Sequence, residues 1–397
     1  MSRNSVAASG RPGVLQPGTR PRNRRDLILS AASDLFYREG YPAVGMGDIA
    51  AAVSVQPSAL YRHFPSKQRL LYESVRAAVE SGVQILANAT QGDLDHLLTD
   101  LAEGALDHRR LGILWQRESR HLAVHERNEI RERLRTAMTS LRAMIEEKRP
   151  DLDRTQAEFL AWCAFAVLIS VSYQQAELPR ADYVRLLRDM TLSVINAPIP
   201  PLVHRAAPAA VGLGLSSRRE KLLAASMTLF AERGYEAVGV DDIAAAAGIA
   251  TPSFYHHFSG KADLLWATLS RGNEAMRMEM TRSLRAASNA EDGLRRVMCS
   301  YIALALDSHE LIEALISQIS YLPSPERQRA KEFQLDLVDE WIQLFRTVHH
   351  DVGRPIARVR VQAALTVVND IACTPHIRST GGATDSLHAV STRLLGL

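Results

Sequence analysis

One 48-residue pattern occurs twice in this chain. Residues 24–71 read RRDLILSAASDLFYREGYPAVGMGDIAAAVSVQPSALYRHFPSKQRLL, and residues 218–265 read RREKLLAASMTLFAERGYEAVGVDDIAAAAGIATPSFYHHFSGKADLL. They align without a gap at a constant shift of 194, with 22 of 48 positions identical. A stacked repeat has a period of roughly 20–50 residues, so this spacing points to a whole domain duplicated within one polypeptide. Whatever one copy folds into, the 397-residue chain holds two of it.

Each copy reads as three helices. In the second, Leu222, Leu223, Ser226, Leu229 and Phe230 make a stripe of helical period, which Gly234 ends. A short helix is expected near Asp241–Ala247, with acidic residues in its first turn where the helix dipole favours them. Gly248 permits a tight turn. A third helix starts near Thr251 or Pro252, since Pro is tolerated in a first turn. Two short helices joined by a tight turn and braced by a longer one form a helix-turn-helix, whose second helix enters the DNA major groove.

These motifs, LF…GY, then DIA, then the turn, then [LF]Y.HF…K..LL, resemble the TetR-type bacterial transcriptional regulators in both copies. The resemblance covers about 48 residues per copy. It implies an all-α fold with a DNA-binding head and a helical ligand-binding body in each half. The stretch LGILWQRESRHL (111–122) further resembles tandem repressors of lipid- or sterol-import (mammalian-cell-entry) operons in mycobacteria. Two departures stand out. Ser54 replaces the turn glycine of the second copy, and Gly45 and Gly239 replace the Ser or Thr that usually caps the second helix.

The expected organisation is a disordered basic arm (1–21), head 1 (22–72), body 1 (73–195), a Pro-rich linker (196–215), head 2 (216–266) and body 2 (267–397). Ahead of Asp26 the chain carries six arginines and no acidic residue, a composition suited to following a phosphate backbone. Arg22, Arg24 and Arg25 are its candidate contacts. In body 1, helices are expected near 67–88, 93–108, 110–122, 126–148, 151–177 and 180–195.

The resemblance implies that Tyr61 and Tyr255, with Lys67 and Lys261, contact phosphates, and His63 and His257 stand beside them. Phosphate contacts position a protein on DNA, and base contacts specify sequence. Base reading falls to the start of each third helix. Those residues are Gln56, Pro57, Ser58, Ala59 and Arg62 in head 1, and Ala250, Thr251, Pro252, Ser253 and His256 in head 2. The scaffold letters match between copies and the reading letters do not. The expected partner is therefore a double-stranded operator with two unlike half-sites, bound by a monomeric pseudo-dimer. The alternative is a regulator with one DNA-competent head, the other serving protein interaction.

In the bodies, Trp115, Glu118, His121 and Trp162 are the candidate pocket residues for a small apolar effector. The sequence contains none of the nucleophile-elbow, phosphate-loop or zinc-protease motifs, and its three cysteines are far apart. No enzyme activity, cofactor or metal is expected. The longest apolar run, Phe159–Tyr173, falls short of the roughly 18–20 residues of a membrane span, so a cytoplasmic protein is expected.

Overall fold

A computed structural model of the chain describes residues 24–89, 93–174, 176–204 and 216–397. It divides into two compact units, Met1–Ser74 and Val75–Leu397. The sequence placed the end of head 1 two residues earlier. The arm, Arg22 and the second half of the linker lie outside the described residues.

The first unit is head 1. It holds α1 (Arg24–Glu39), α2 (Met46–Ala52), α3 (Pro57–Tyr61) and the first turns of α4 (Lys67–Asn88). Ile28, Phe36, Ile49, Leu60, Phe64 and Leu70 are wholly buried and hold these helices together. The glycine cap on α2 works by a substitute: the Asp48 carboxylate accepts a 2.7 Å hydrogen bond from the Gly45 N–H, half of a capping box. Ser54 has a φ of 53°, and it alone among the described non-glycine residues is positive. The turn between α2 and α3 therefore demands a left-handed residue, and a side chain there costs on the order of 1 kcal/mol.

The second unit holds body 1, head 2 and body 2. Body 1 continues α4 and adds α5 (Leu94–Asp107), a broken segment from Leu111 to His121, α7 (Val124–Lys148), α8 (Arg154–Ile169) and α9 (Arg180–Ile195). The broken segment was expected as one helix over 110–122. It is instead a short α-turn, α6 (Leu111–Ile113), then a π-turn (Leu114–Glu118) and a 3-10 turn (Ser119–His121). Head 2 holds α10 (Arg218–Arg233), α11 (Val240–Ala246) and α12 (Thr251–Phe254). Body 2 holds α13 (Lys261–Arg285), whose first turns complete head 2, then α14 (Ala290–Asp307), α15 (His309–Ser317), α16 (Ser324–Val348), α17 (Arg354–Cys373), α18 (Pro375–Arg378) and α19 (Ala383–Leu395).

The bodies are duplicates as well as the heads. Helices α7 and α16 start at 124 and 324 and end at 148 and 348, and α8 and α17 start at 154 and 354. The bodies thus correspond at a shift of 200. They pack through their late helices, α8 against α17 and α9 against α19. Helix α8 with its following 3-10 turn, Arg154–Tyr173, is 20 residues and by length and composition could cross a membrane. The apolar run had looked too short because the helix begins five residues before it. Some 78% of its most apolar 18-residue window is buried inside the protein, as befits the central helix of a core.

The linker is not a free spacer over its first half. The Gln156 side chain, which also caps α8, donates to the carbonyls of Ile199 and Pro200 at 3.2 Å each. Val203 and His204 then pair antiparallel with Gly381 and Thr380 of body 2.

Candidate nucleic-acid interface and interior cavity

Head 2 repeats head 1 position for position in its interior. The buried Ile28, Ala32, Phe36, Val44, Ile49, Leu60, Phe64, Leu70 and Leu71 answer to Leu222, Ser226, Phe230, Val238, Ile243, Phe254, Phe258, Leu264 and Leu265, all buried too. Asp242 accepts from the Gly239 N–H at 2.7 Å, as Asp48 does in head 1. Gly248 takes the left-handed turn conformation at a φ of 65°. The recognition helices are short. Gln56 and Ala250 precede them in extended conformation, and Pro57 and Pro252 lie in their first turns, first and second residue respectively, without a donor to lose.

This scaffold turns the reading residues outward. Gln56, Pro57, Ser58 and Arg62 are exposed in head 1, with Ala59 half-buried. In head 2, Ala250, Pro252 and His256 are exposed, and Thr251 and Ser253 half-buried. Tyr61 and Tyr255 are 52% and 58% exposed, unusual for large aromatic rings in a folded head. His63 is exposed and His257 half-buried. Thr251 is less available than the sequence suggested, because its hydroxyl donates to Asp241 Oδ1 at 2.7 Å. Its methyl and its acceptor lone pairs remain for a base edge.

The two lysines have inward partners that the sequence reading did not give them. Lys67 Nζ donates to the Tyr41 carbonyl at 2.8 Å and sits 4.1 Å from the centre of the Tyr41 ring. Lys261 Nζ donates to the carbonyls of Tyr235 and Val238 at 2.7 and 2.8 Å, with the Tyr235 ring at 4.1 Å. Burial lowers the Lys261 pKa, against an opposing pull from Glu236. Each ammonium thus ties the start of α4 or α13 to the turn after the head's first helix. An ammonium has three donors, so a phosphate contact would use what these bonds leave. Arg25 likewise stacks on Phe64 at 4.8 Å and lies 3.6 Å from Glu73, and Arg219 repeats the stack on Phe258. Arg24, half-buried, begins α1.

A cavity of about 80 Å³ opens in body 1 between α4, α5, α7 and α8. Leu101, Leu141 and Phe165 are among its walls, Gly82, Gly104 and Ala137 leave room in it, and Ser81, His108 and Ser172 are its polar members. No charged side chain lines it apart from what His108 could carry, and burial lowers the His108 pKa despite the nearby Asp107 carboxylate.

None of the four pocket candidates lines this cavity. Three of them, Trp115, Glu118 and His121, lie on the broken 111–121 segment, and Trp162 lies on α8. Trp162 packs edge-on against His376 of body 2 at 5.6 Å, and Trp115 is half-buried. Glu118 is buried and takes the Arg117 guanidinium, with His121 at 3.8 Å. His121 itself lies 3.6 Å from Glu236 of head 2 and 3.3 Å from the Tyr321 hydroxyl. Tyr321 in turn stacks on Tyr235 at 4.8 Å. Arg120 donates to the Ser317 carbonyl at 2.9 Å. These residues join body 1 to head 2 and body 2, a crossing between halves that no local motif signals. Across the seam, Gln116 donates to Asp370 at 2.7 Å, and burial raises the Asp370 pKa to about 7.

Comparison with known proteins agrees with this geometry. The family described as bacterial regulatory proteins, tetR family, matches residues 28–73 and again 222–268. The HTH-type transcriptional activator FasR of Mycolicibacterium smegmatis is 38% identical over 78 residues, 20% of this chain and 36% of that protein. The HTH-type transcriptional repressor KstR2 of Rhodococcus jostii is 39% identical over 104 residues, 26% of this chain and 42% of that protein. The chain thus spans well under half the length of these curated relatives. The structure of KstR2 of Mycobacterium tuberculosis superposes with a TM-score of 0.39 at 19% identity, covering 46% of this chain and 95% of that one. These relatives are regulators and not enzymes. The chain thus carries, twice, a domain that matches the tetR family of bacterial regulatory proteins.

Proposed function

We propose that the chain is a DNA-binding transcriptional repressor of the bacterial cytoplasm, whose two heads bind one asymmetric operator and which a small apolar molecule releases. The observation that carries this reading is the contrast between the heads. Nine buried positions correspond, yet the outward residues at the start of α3 and α12 differ. Gln56 suits adenine and Arg62 suits guanine or phosphate, while Thr251 offers a methyl to thymine. Two such heads read two different half-sites.

The seam between the bodies supports one chain per operator. Its Gln116–Asp370 hydrogen bond would be matched, at a shift of 200, by Ile316 and Ser170, which cannot form it. The seam is therefore specific to unlike halves, whereas a homodimer interface repeats each contact twice. The cavity in body 1 supports the effector: it is apolar, with a few neutral polar groups, as small-molecule sites are.

Selection of bound fragments from random DNA, followed by footprinting and sedimentation of the complex, tests the proposal. One chain on a site with two non-identical half-sites is expected. A dimer of chains on a perfect palindrome, or no sequence preference at all, would overturn it.

A further inference from the structure

We infer that body 1 alone takes the effector, one molecule per chain, because body 2 fills the matching space with its own side chains. This rests on the reading of the chain as a ligand-responsive regulator. The corresponding space in body 2, between α13, α14 and α16, is only about 10 Å³. That is at or below what one water needs. Five matched positions account for the difference. On the first helix, Gly82 becomes Met276 at the head shift of 194. At the body shift of 200, Leu101 becomes Tyr301, Gly104 becomes Leu304, Ala137 becomes Leu337 and Leu141 becomes Trp341.

Each change is to a larger side chain, and each faces the same space. The filling is locked as well as bulky. Trp341 is 1% exposed, meets Tyr301 edge-on at 6.0 Å, and the Tyr301 hydroxyl donates to Asn369 at 2.7 Å. A buried phenol held by a hydrogen bond does not swing aside cheaply. In body 1 the wall can give. Met138 is flexible there, and the cavity's 80 Å³ is below the ~150 Å³ that holds benzene. A ligand of useful size therefore enlarges it. With no arginine or lysine on the wall, a carboxylate or phosphate would go unpaired. The ligand class is an uncharged apolar molecule carrying one hydroxyl or carbonyl.

Xenon, which enters dry apolar cavities, is the probe. With the full chain labelled at methionine methyls, xenon should shift Met138 of body 1 and leave Met276 and Met280 of body 2 in place. Gly104→Leu should abolish the Met138 shift, since even a Cβ at 104 would lie 2.9 Å from Ile85 Cδ1. Ala137→Leu serves as the second filling variant, with circular dichroism checking that each folds. The double variant Leu304→Gly/Trp341→Leu should gain a second xenon site reported by Met276. Shifts at Met276 or Met280 in the wild-type chain, or no shift at Met138, would overturn the inference. Operator binding is measured separately on the same samples. Its absence would defeat the regulator reading while the xenon result still decides which body is open.

Discussion

The heads and the bodies were both duplicated, and they have diverged in opposite directions. Phe36 and Phe230, Phe64 and Phe258, Ile49 and Ile243 fill matching interiors, while Gln56 and Ala250 or Arg62 and His256 differ at the surface. In the bodies the helices keep matching ends, as α7 and α16 do, but the interior changes, Gly104 to Leu304 and Leu141 to Trp341. A head that must present any half-site needs one rigid scaffold and a variable face. A body needs its frame to pack against the other body, and a cavity only where a ligand enters. The position of the differences, inside or outside, separates the two tasks.

The comparison can be broken at the seam, where the largest effect is expected. Asp370 in body 2 answers to Ser170 in body 1. Its folded pKa, raised by burial to about 7 against an opposing hydrogen bond from Gln116, lies above the ordinary carboxyl value of 3.8. The folded state then holds this proton more tightly than the unfolded state does. Its stabilisation is complete below the unfolded pKa and is lost as pH rises towards 7. Asp370→Asn should flatten that slope and raise stability at pH 8 by on the order of 2–4 kcal/mol. Chemical unfolding across pH 4–8 checks this, and an unchanged slope would remove Asp370 as its source.

A smaller effect sharpens the comparison of the heads. Lys261→Ala breaks contacts to the Tyr235 and Val238 carbonyls, and Lys67→Ala breaks the contact to the Tyr41 carbonyl. A loss of about 1–2 kcal/mol of head stability is expected for each, read by hydrogen exchange in α11 and α2. If both variants keep native protection and only lose salt-dependent DNA affinity, the ammonium serves phosphate and not the fold. The smallest effect is at the turn. Ser54→Gly should stabilise head 1 by about 0.5–1 kcal/mol and Gly248→Ser should cost head 2 as much. Thermal unfolding of the two variants should shift in opposite directions.

Much of the fold was legible because its signals are local. The head motif, the turn that Ser54 strains, and helices such as 67–88 and 180–195 follow from period, caps and glycine. The stretch LGILWQRESRHL (111–122) matches LIEALISQISYL (311–322) at a shift of 200, and elsewhere the bodies' duplication left little trace, since a helical frame constrains apolar spacing and little else. The cavity was missed for a related reason. Its room comes from absences, Gly82, Gly104 and Ala137, whereas the reading chose large polar and aromatic residues, which went to the seam and to head 2. The lysine partners were missed because backbone carbonyls 23–26 residues away leave no mark in a motif.

The central claim is that one scaffold presents two different readers. Transplanting the head 1 reading residues 56–59 and 62 onto positions 250–253 and 256 tests it most directly, with DNA preference determined by selection before and after. The account predicts that the chimera exchanges one half-site for a second copy of the other, with unchanged fold and comparable affinity for the new site. An unchanged preference, or a change in both half-sites together, would contradict it.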